Sequence, residues 1–400
     1  MNRRFDTVVA GAGMIGLTVA ALLARSHRGD QFKITIIDAA PRPEFDAGND
    51  VALRVSALSP GSIGILDEAG AWNSIASARV SPYRSMKVWD SEGSPDGPEK
   101  LSFDAAEFAL GELGFITENI LVQAELLRVL EKTEVEIRFE TTINAIERDG
   151  DRFEVTLSDG GVLRPDLLIG ADGARSRIRE RAGIDVNVWS HEQKALVTHL
   201  RTSAPHRETA WQRFLPDGPI GMLPLADGRI SVVWSTTPQA AEDALALSDA
   251  ELSRLLTGVT DQTLGRLTVD GPRGAFPLNS QHAVNYVLPG LVLIGDAAHS
   301  IHPLAGQGAN LGLSDAAELA SVLTAALERE EYPGDLPVLR RYERSRKGAN
   351  LTMLRFMDLL NRLFSNDSRT LARVRGIGMY LFNKSGPVRN AAVQHALGVR

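Results

Sequence analysis

The chain has 400 residues, of which 44% are hydrophobic and 23% charged, with a formal net charge of −7 and no cysteine. This length and composition are typical of a soluble globular protein with more than one domain. They exclude disulfides, thiolate metal centres and a cysteine nucleophile, and the acidic balance argues against general nucleic-acid binding. No apolar run reaches the roughly 18 residues that a membrane span requires, so we expect a cytoplasmic protein.

The first predicted element is a buried strand over residues 7–10, which leads into a glycine-rich turn and a helix over 17–26. The turn carries Gly11, Gly13 and Gly16 in a G-x-G-x-x-G pattern. Such glycines make the turn tight, let the backbone reach a pyrophosphate and allow close helix packing, while the helix N-terminus attracts the phosphate charge. Asp38 ends the next strand, 22 residues after Gly16, where a carboxylate accepts a ribose hydroxyl. The sequence therefore predicts a dinucleotide-binding unit.

The chain after Asp38 departs from a simple dehydrogenase pattern. A long loop precedes a helix-like stretch over residues 60–69, where a dehydrogenase would continue with regular strand–helix pairs. The glycine motif by itself does not distinguish FAD from NAD.

A second strand-to-turn site follows a predicted strand over residues 167–170. Asp172 and Gly173 occupy the turn, and a short helix with Ser176 as its candidate cap carries Arg175 and Arg179. Arginines beside an exposed turn can bind phosphate oxygens, although the same pattern is common in an ordinary turn with a basic helix face.

A third site lies in "GDAAHSIHPLAGQGANLGLSD", between a predicted strand over residues 291–294 and a helix that starts near Gly308 and runs to Leu323. Small residues let the backbone approach a ligand closely, and Asp296 can accept hydrogen bonds from sugar hydroxyls. Gly306 and Gly308 leave backbone N–H groups free at a helix N-terminus, which suits partial negative charge. This loop is predicted to contact a flat, negatively polarisable ligand.

Other chemistries receive little support from the sequence. His299 and His302 have H-x-x-H spacing but lack neighbouring ligands for a metal site. The chain contains neither the G-x-S-x-G motif of hydrolases nor the G-x-x-x-x-G-K-[ST] loop of nucleotide hydrolysis.

The three motifs in this order resemble those of the group A flavin monooxygenases, the class of para-hydroxybenzoate hydroxylase. The blocks "RVSALSPGSIGILDEAGAW", "ENILVQAELL", "AWQRFLPDGPIGMLPL" and "HPLAGQGANLGLSD" look like those of the ubiquinone-biosynthesis hydroxylase family within it. The resemblance covers nearly the whole chain. Asp38, where many members carry Glu, is a shorter acceptor of the same kind.

The resemblance implies a mixed α/β fold with three parts. A Rossmann-like FAD-binding domain would comprise residues 1–73, 106–184 and 276–340. An inserted antiparallel-sheet substrate domain would comprise residues 74–105 and 185–275. A helical C-terminal region would comprise residues 341–400.

The resemblance also implies FAD as cofactor and NAD(P)H as an electron donor that binds transiently. The implied cofactor-binding residues are Gly11, Gly13, Gly16, Asp38, Arg54, Gln123, Asp172, Gly173, Gly295, Asp296, Ala309 and Asn310. The residues implied beside the reacting flavin ring, which we class as catalytic, are Pro303, Gly306, Gln307 and Gly308. No metal is expected.

The implied reaction hydroxylates the aromatic ring of a polyprenylated ubiquinone precursor with O₂ through a flavin C4a-hydroperoxide, which requires a dry site. Two alternatives stay open: a hydroxylase of a small soluble aromatic or natural-product substrate, and a non-catalytic flavin-binding module. Apolar residues of the antiparallel region are candidates for the substrate wall or for its core, namely Phe214, Pro219, Met222, Leu223 and Pro224. No general base can be assigned.

The last sixty residues are strongly basic, with 13 Lys+Arg and 3 Asp+Glu from Arg340 to Arg400. An apolar stripe recurs there at helical spacing, at Met353, Phe356, Met357, Leu360, Leu363 and Phe364. Such a stripe usually packs on its own protein. Together with the positive charge, it also fits a peripheral contact with a membrane or with a partner in a biosynthetic complex.

Overall fold

The computed structural model describes residues 4–98, 100–302, 306–365, 369–386, 389–390, 393–394 and 397–398. The strands, in chain order, are β1 (Phe5–Ala10), β2 (Phe32–Ile37), β3 (Val55–Leu58), β4 (Val80–Tyr83), β5 (Ser85–Asp90), β6 (Leu101–Asp104), β7 (Gly114–Glu118), β8 (Glu136–Arg138), β9 (Ile143–Asp149), β10 (Arg152–Leu157), β11 (Val162–Leu163), β12 (Leu167–Gly170), β13 (Val186–Thr202), β14 (Thr209–Phe214), β15 (Ile220–Pro224), β16 (Ile230–Thr236), β17 (Leu267–Ala283), β18 (Val287–Leu288), β19 (Leu291–Leu293) and β20 (His299–Ser300). The helices are α1 (Met14–Arg25), α2 (Pro60–Glu68), α3 (Trp72–Ala78), α4 (Asn119–Leu130), α5 (Arg177–Arg181), α6 (Pro238–Ala246), α7 (Asp249–Val259), α8 (Gln307–Glu328), α9 (Leu336–Phe364) and α10 (Arg369–Lys384).

The first sheet has the strand order β18-β19-β12-β1-β2-β8, and all its pairs are parallel except β18–β19. Its strands are nearly continuous runs of buried apolar residues, as expected when helices cover both faces of a parallel sheet. Since β1, β12 and β19 are adjacent and parallel, the turns that follow them lie at the same edge.

The glycine turn after β1 depends on close backbone contacts. Gly11 has a φ of +109°, and a Cβ atom there would lie 2.4 Å from the carbonyl oxygen of Ala171. A Cβ atom at Gly16 would lie 2.0 Å from the carbonyl oxygen of Gly11. Gly11 must be glycine because the first turn packs directly against the second, and Gly16 because α1 begins directly against the backbone of Gly11.

The second sheet has the strand order β20-β17-β13-β16-β15-β14-β5-β6 and is antiparallel except for the β14–β5 pair. It takes β5 and β6 from one segment predicted for the substrate domain and β13 to β16 from the other. β17 continues past residue 275, and β20 belongs to the third motif. The predicted mixed α/β class is confirmed, whereas the domain boundaries stay a prediction.

One face of this sheet is closed by α6 and α7. Their residues Ala244, Leu252 and Leu256 pack with Met222 and Trp234 in one buried cluster. The opposite face points toward the first sheet, and two three-stranded sheets, β11-β10-β9 and β3-β7-β4, complete the fold.

The C-terminal helices pack against the edge of the second sheet. The rings of Phe214 and Phe364 stack with their centroids 4.1 Å apart, and Met357 joins the same buried cluster. Nε of Arg375 in α10 donates to Asp90 at 2.7 Å, and both side chains are buried. Most of the predicted stripe therefore packs on its own protein, whereas Phe356 is 51% exposed. Within the described ranges, no helix combines the length and apolar character needed to pass through a bilayer.

Candidate active site

A cavity of about 550 Å³ lies between the turn edge of the first sheet and the open face of the second. Eight of the residues predicted to bind cofactor or to act beside it line this cavity, namely Gly13, Arg54, Gln123, Gly173, Asp296, Gly306, Gly308 and Ala309. They come from all three motifs, from Arg54 just before β3, and from Gln123 in α4. The fold therefore brings together residues that are nearly 300 positions apart in the sequence.

The first turn presents a helix N-terminus to the cavity. Gly13 is the N-cap of α1, and a Cβ atom there would meet nothing within 4 Å. The carboxylate of Asp38 accepts the backbone N–H groups of Ala12 at 2.6 Å and Ala40 at 2.7 Å. Asp38 is thereby fixed beside the turn, and Gly11 and Gly16 shape the turn from behind.

The second turn is organised by Asp172. Its carboxylate accepts hydrogen bonds from Oγ of Ser176 at 2.5 Å and from the backbone N–H groups of Arg177 and Ile178 at 2.8 and 3.1 Å. These hydrogen bonds cap the N-terminus of α5. Gly173 follows with a φ of +81° and open space around its Cα. Asp172 thus shapes the turn, and Gly173 faces the cavity.

Arg179, which the sequence offered as a phosphate ligand, is buried and engaged within the protein. Its guanidinium donates to the carbonyl oxygens of Ala297 at 2.8 Å and Ala174 at 3.0 Å. Burial lowers its pKa, and Asp172 and Glu180 partly offset that effect. Arg179 ties the second turn to the third.

The third turn places a carboxylate deep in the molecule but open to the cavity. Gly295 adopts a φ of +57°, and the Asp296 side chain that follows is exposed on the cavity side. Burial raises the pKa of Asp296, while His299 and Arg54 act in the opposite direction. A ligand hydroxyl that donates a hydrogen bond to this carboxylate would stabilise its charged form, because burial removes part of its hydration.

The N-terminus of α8 is the second helix end that faces the cavity. Its N-cap Gly306 has φ +63° and ψ 24°, and a Cβ atom there would lie 3.1 Å from Cβ of Ala57. A Cβ atom at Gly308 would meet nothing within 4 Å. Free N–H groups in this first turn give the cavity a positive end.

Of the other predicted residues in this motif, Asn310 is buried and fixes the start of α8. Its Nδ2 donates to the carbonyl oxygen of Ala57 at 3.0 Å, and its Oδ1 accepts from the N–H of Ser59 and Oγ of Ser62. Gln307 is the first residue of α8 and is not among the lining residues. Pro303 lies outside the described residues.

A buried ionic network, which the sequence did not reveal, holds the third turn. Asp315 is 0% exposed and accepts from Nε2 of His299 at 2.5 Å, Nε of Arg346 at 2.7 Å and Nδ2 of Asn350 at 3.1 Å. It also accepts the backbone N–H of Gly295 at 3.1 Å. His299 and Asp315 both lie in the quoted motif, but nothing in their spacing shows that they meet.

The residues present fit FAD on observations of the structure itself. Glycines at the N-terminus of α1, in the second turn and in α8 leave open space that a Cβ atom would partly fill. Two helix N-termini suit the pyrophosphate and the electron-rich ring, and Asp296 suits a sugar-alcohol hydroxyl.

Of the five apolar wall candidates, Pro219 and Leu223 line the cavity. Met222 instead points to the opposite face, in the cluster under α6 and α7. Phe214 packs on α9, and Pro224 is buried away from the lining.

A parallel Rossmann-like sheet whose turns open into a cavity under an antiparallel sheet defines a flavin-dependent monooxygenase fold. The chain belongs to the FAD binding domain family, whose model matches residues 4–356. The identification as an FAD-dependent monooxygenase is confirmed.

Two relatives and one solved structure are similar over nearly the full chain. The 3-demethoxyubiquinol 3-hydroxylase of Escherichia coli (strain K12) is 36% identical over 399 residues, covering 100% of both chains. The ubiquinone hydroxylase UbiL of Rhodospirillum rubrum is 36% identical over 395 residues, covering 98% of this chain and 89% of the relative. The p-nitrophenol 4-monooxygenase PnpA of Pseudomonas putida DLL-E4 superimposes with a TM-score of 0.79 at 20% identity over 100% of both chains, which shows the fold.

We expect the substitution Asp315→Asn to reduce the free energy of unfolding by about 3 kcal/mol at neutral pH, because it leaves the largely buried guanidinium of Arg346 without a counter-charge. Burial raises the pKa of Asp315, but His299 and Arg346 outweigh it and lower the pKa to about 2 from 3.8. A lowered folded-state pKa stabilises the fold above about pH 4, and that stabilisation is lost as the pH falls toward 2. Urea unfolding of both proteins across this range should show a shallower acid loss in Asp315→Asn; equal slopes would contradict the assignment.

We expect Asp296→Ala to weaken FAD binding by about 10- to 100-fold, the loss that follows removal of a charged hydrogen-bond acceptor. Flavin released on dilution, followed by its fluorescence, measures this. Asp151→Ala is the matched control, because the Asp151 side chain is 92% exposed on the surface. Undiminished FAD affinity in a folded Asp296→Ala protein would show that Asp296 does not bind the cofactor.

Proposed function

We propose that this protein uses FAD, NAD(P)H and O₂ to hydroxylate the aromatic ring of a polyprenylated ubiquinone precursor. The observation that carries the proposal is the end-to-end match to the Escherichia coli enzyme, whose name specifies a ubiquinol-type ring. A cavity with both apolar and polar lining, large enough for a ring beside a flavin, supports it.

The proposed cofactor site combines all three turns. The FAD pyrophosphate would be held at the N-terminus of α1 by Gly11, Gly13 and Gly16. The carboxylate of Asp38 would accept hydrogen bonds from the hydroxyls of the adenosine ribose. Arg54, Gln123, Gly295 and Asp296 would contact the rest of the cofactor, with Ala309 and Asn310 forming the start of α8. Asp172 and Gly173 would contact FAD and, transiently, NAD(P)H.

The proposed catalytic contribution of the chain is positioning, electrostatics and exclusion of water. When bound, FAD supplies the redox chemistry that activates O₂ and passes one oxygen atom to the substrate ring. Gly306 and Gly308, which line the cavity, would lie against the flavin ring. The N–H groups that begin α8 would stabilise negative charge on it, because preorganised donors in a dry site act strongly. The second sheet covers this region and, with a substrate bound, would limit the access of water to the flavin ring.

We expect the purified holoprotein to convert a 3-demethoxyubiquinol with a short prenyl chain into a product heavier by one oxygen atom, with one NAD(P)H consumed per product. Mass spectrometry after incubation under labelled O₂ checks the source of the oxygen. p-Hydroxybenzoate is the comparison substrate, because turnover of this small acid alone would favour the small-substrate alternative. NAD(P)H consumption that yields only hydrogen peroxide with every ring tested would contradict the hydroxylase function.

We also propose that the protein is cytoplasmic and touches a membrane peripherally through α9 and α10. Phe356 and Leu359 in α9 are 51% and 61% exposed, and Leu381 in α10 is 60% exposed. Arg355 and Arg362 accompany them on the exposed side of α9. Exposed apolar side chains among arginines suit an anionic lipid surface, which is where a polyprenylated substrate resides.

We expect the double substitution Phe356→Ser and Leu359→Ser to reduce binding to vesicles of equal parts phosphatidylcholine and phosphatidylglycerol by about tenfold or more, since both side chains lose their apolar burial. Co-sedimentation measures the bound fraction. Val188→Ser is the matched control, because Val188 is 56% exposed on β13, away from α9. Equal sedimentation of wild type and double variant would rule out this surface as the membrane contact and would leave a protein partner.

A further inference from the structure

The strand register arranges the open face of the second sheet in rows that run across the strands. Gln212 of β14 pairs with Gly221 of β15, which pairs with Val233 of β16, which pairs with Val197 of β13. All four residues line the cavity. Directly opposed residues in a sheet share one face, so this row forms the middle of the cavity wall.

Gln212 is the polar end of that row. The residue is only 8% exposed and lines the cavity, and its side-chain amide forms no hydrogen bond with the described residues. Its amide atoms are not among those fully buried without a partner, so they keep accessible surface in the cavity. An amide kept in the wall of a cavity without a partner is therefore available to a ligand.

A second unpaired polar group lies in the neighbouring row. Ser231 pairs with Leu223 on one side and His199 on the other, and Ser231 and Leu223 both line the cavity. Oγ of Ser231 is buried without a hydrogen-bond partner, and so are both ring nitrogens of His199. His199 and Ser231 are both 0% exposed, so these three atoms, unpaired among the residues that the structure describes, lie behind the cavity surface and out of reach of a ligand.

Gly221, the direct cross-strand partner of Gln212, leaves the space beside that residue open. A Cβ atom at Gly221 would meet only the carbonyl oxygen of Val233, at 3.9 Å, which is ordinary contact. Its φ is not in the left-handed region, so neither the backbone nor the packing requires glycine here. Glycine weakens a strand interior and often marks a place where a ligand approaches closely.

We infer that the side-chain amide of Gln212 binds a ring oxygen of a phenol or quinol substrate, and that Gly221 provides the room for its ring. The inference rests on the proposed function and names the contact that would select its substrate.

The direct test compares Gln212→Leu with wild type on a prenylated quinol and on the two phenols that each lack one ring oxygen. In the wild type, kcat/KM should be about 10- to 100-fold lower for the phenol that lacks the contacted oxygen than for the quinol. In Gln212→Leu, the ratio of these two kcat/KM values should be much closer to one. Unchanged discrimination in Gln212→Leu would overturn the inference.

The substitution Gly221→Leu tests the space itself. It should preserve folding and FAD content, because the added side chain enters the cavity, and it should abolish detectable binding of the quinol. Gln239→Leu is the matched control, because Gln239 is exposed on α6. Normal quinol turnover by Gly221→Leu would place the ring elsewhere.

Failure of the inference can be separated from failure of the hydroxylase function by measuring binding without NAD(P)H. The oxidised quinone form of the same ring is titrated into the holoprotein, and the flavin absorption spectrum reports its binding. Weaker binding by Gln212→Leu and Gly221→Leu supports the inference even if wild type hydroxylates nothing. Equal binding by wild type and both variants, or none by wild type, overturns it whatever the turnover experiment gives.

Discussion

The whole site depends on the parallel pairing of β1, β12 and β19. Parallel neighbours end at one edge of a sheet, so three turns that are far apart in sequence meet there. The contact is close enough to dictate residue type, since Gly11 and Ala171 leave no room for a side chain between the first two turns. Once these turns meet, the cavity needs only a cover, which the antiparallel sheet supplies.

The polar groups around the cavity are of two kinds, and they have different consequences. Asp172, Arg179 and Asp315 are satisfied within the protein, and they fix the turns to one another and to α9. Asp296 and Gln212 are the reverse case, because they face the cavity deep in the molecule. The hydrogen bonds within the protein therefore hold the turns rigid, whereas Asp296 and Gln212 stay available to bind a ligand.

The sequence predicted the local elements of the cofactor site well, because glycine spacing and strand-to-helix transitions are encoded by neighbouring residues. α1 and α8 lie where the motifs indicated, within a few residues. The Asp315 network and the row from Gln212 to Val197 could not be predicted, since both depend on strand register and long-range packing. Met222 shows this limit. β15 is apolar on both faces, because α6 and α7 cover one face and the cavity lies on the other. The pattern of polar and apolar residues along β15 therefore could not distinguish cavity-wall residues from core residues.

The same two-sided burial explains how the second sheet can serve both stability and selection. The face under α6 and α7 carries large side chains such as Trp234 and Met222, packed as an ordinary core. The cavity face carries small or polar residues, including Gly221, Ser231 and Ser235, beside apolar ones such as Val233 and Leu223. Because residues on the two faces alternate along each strand, the same strands supply one set of side chains to the core and another to the cavity wall.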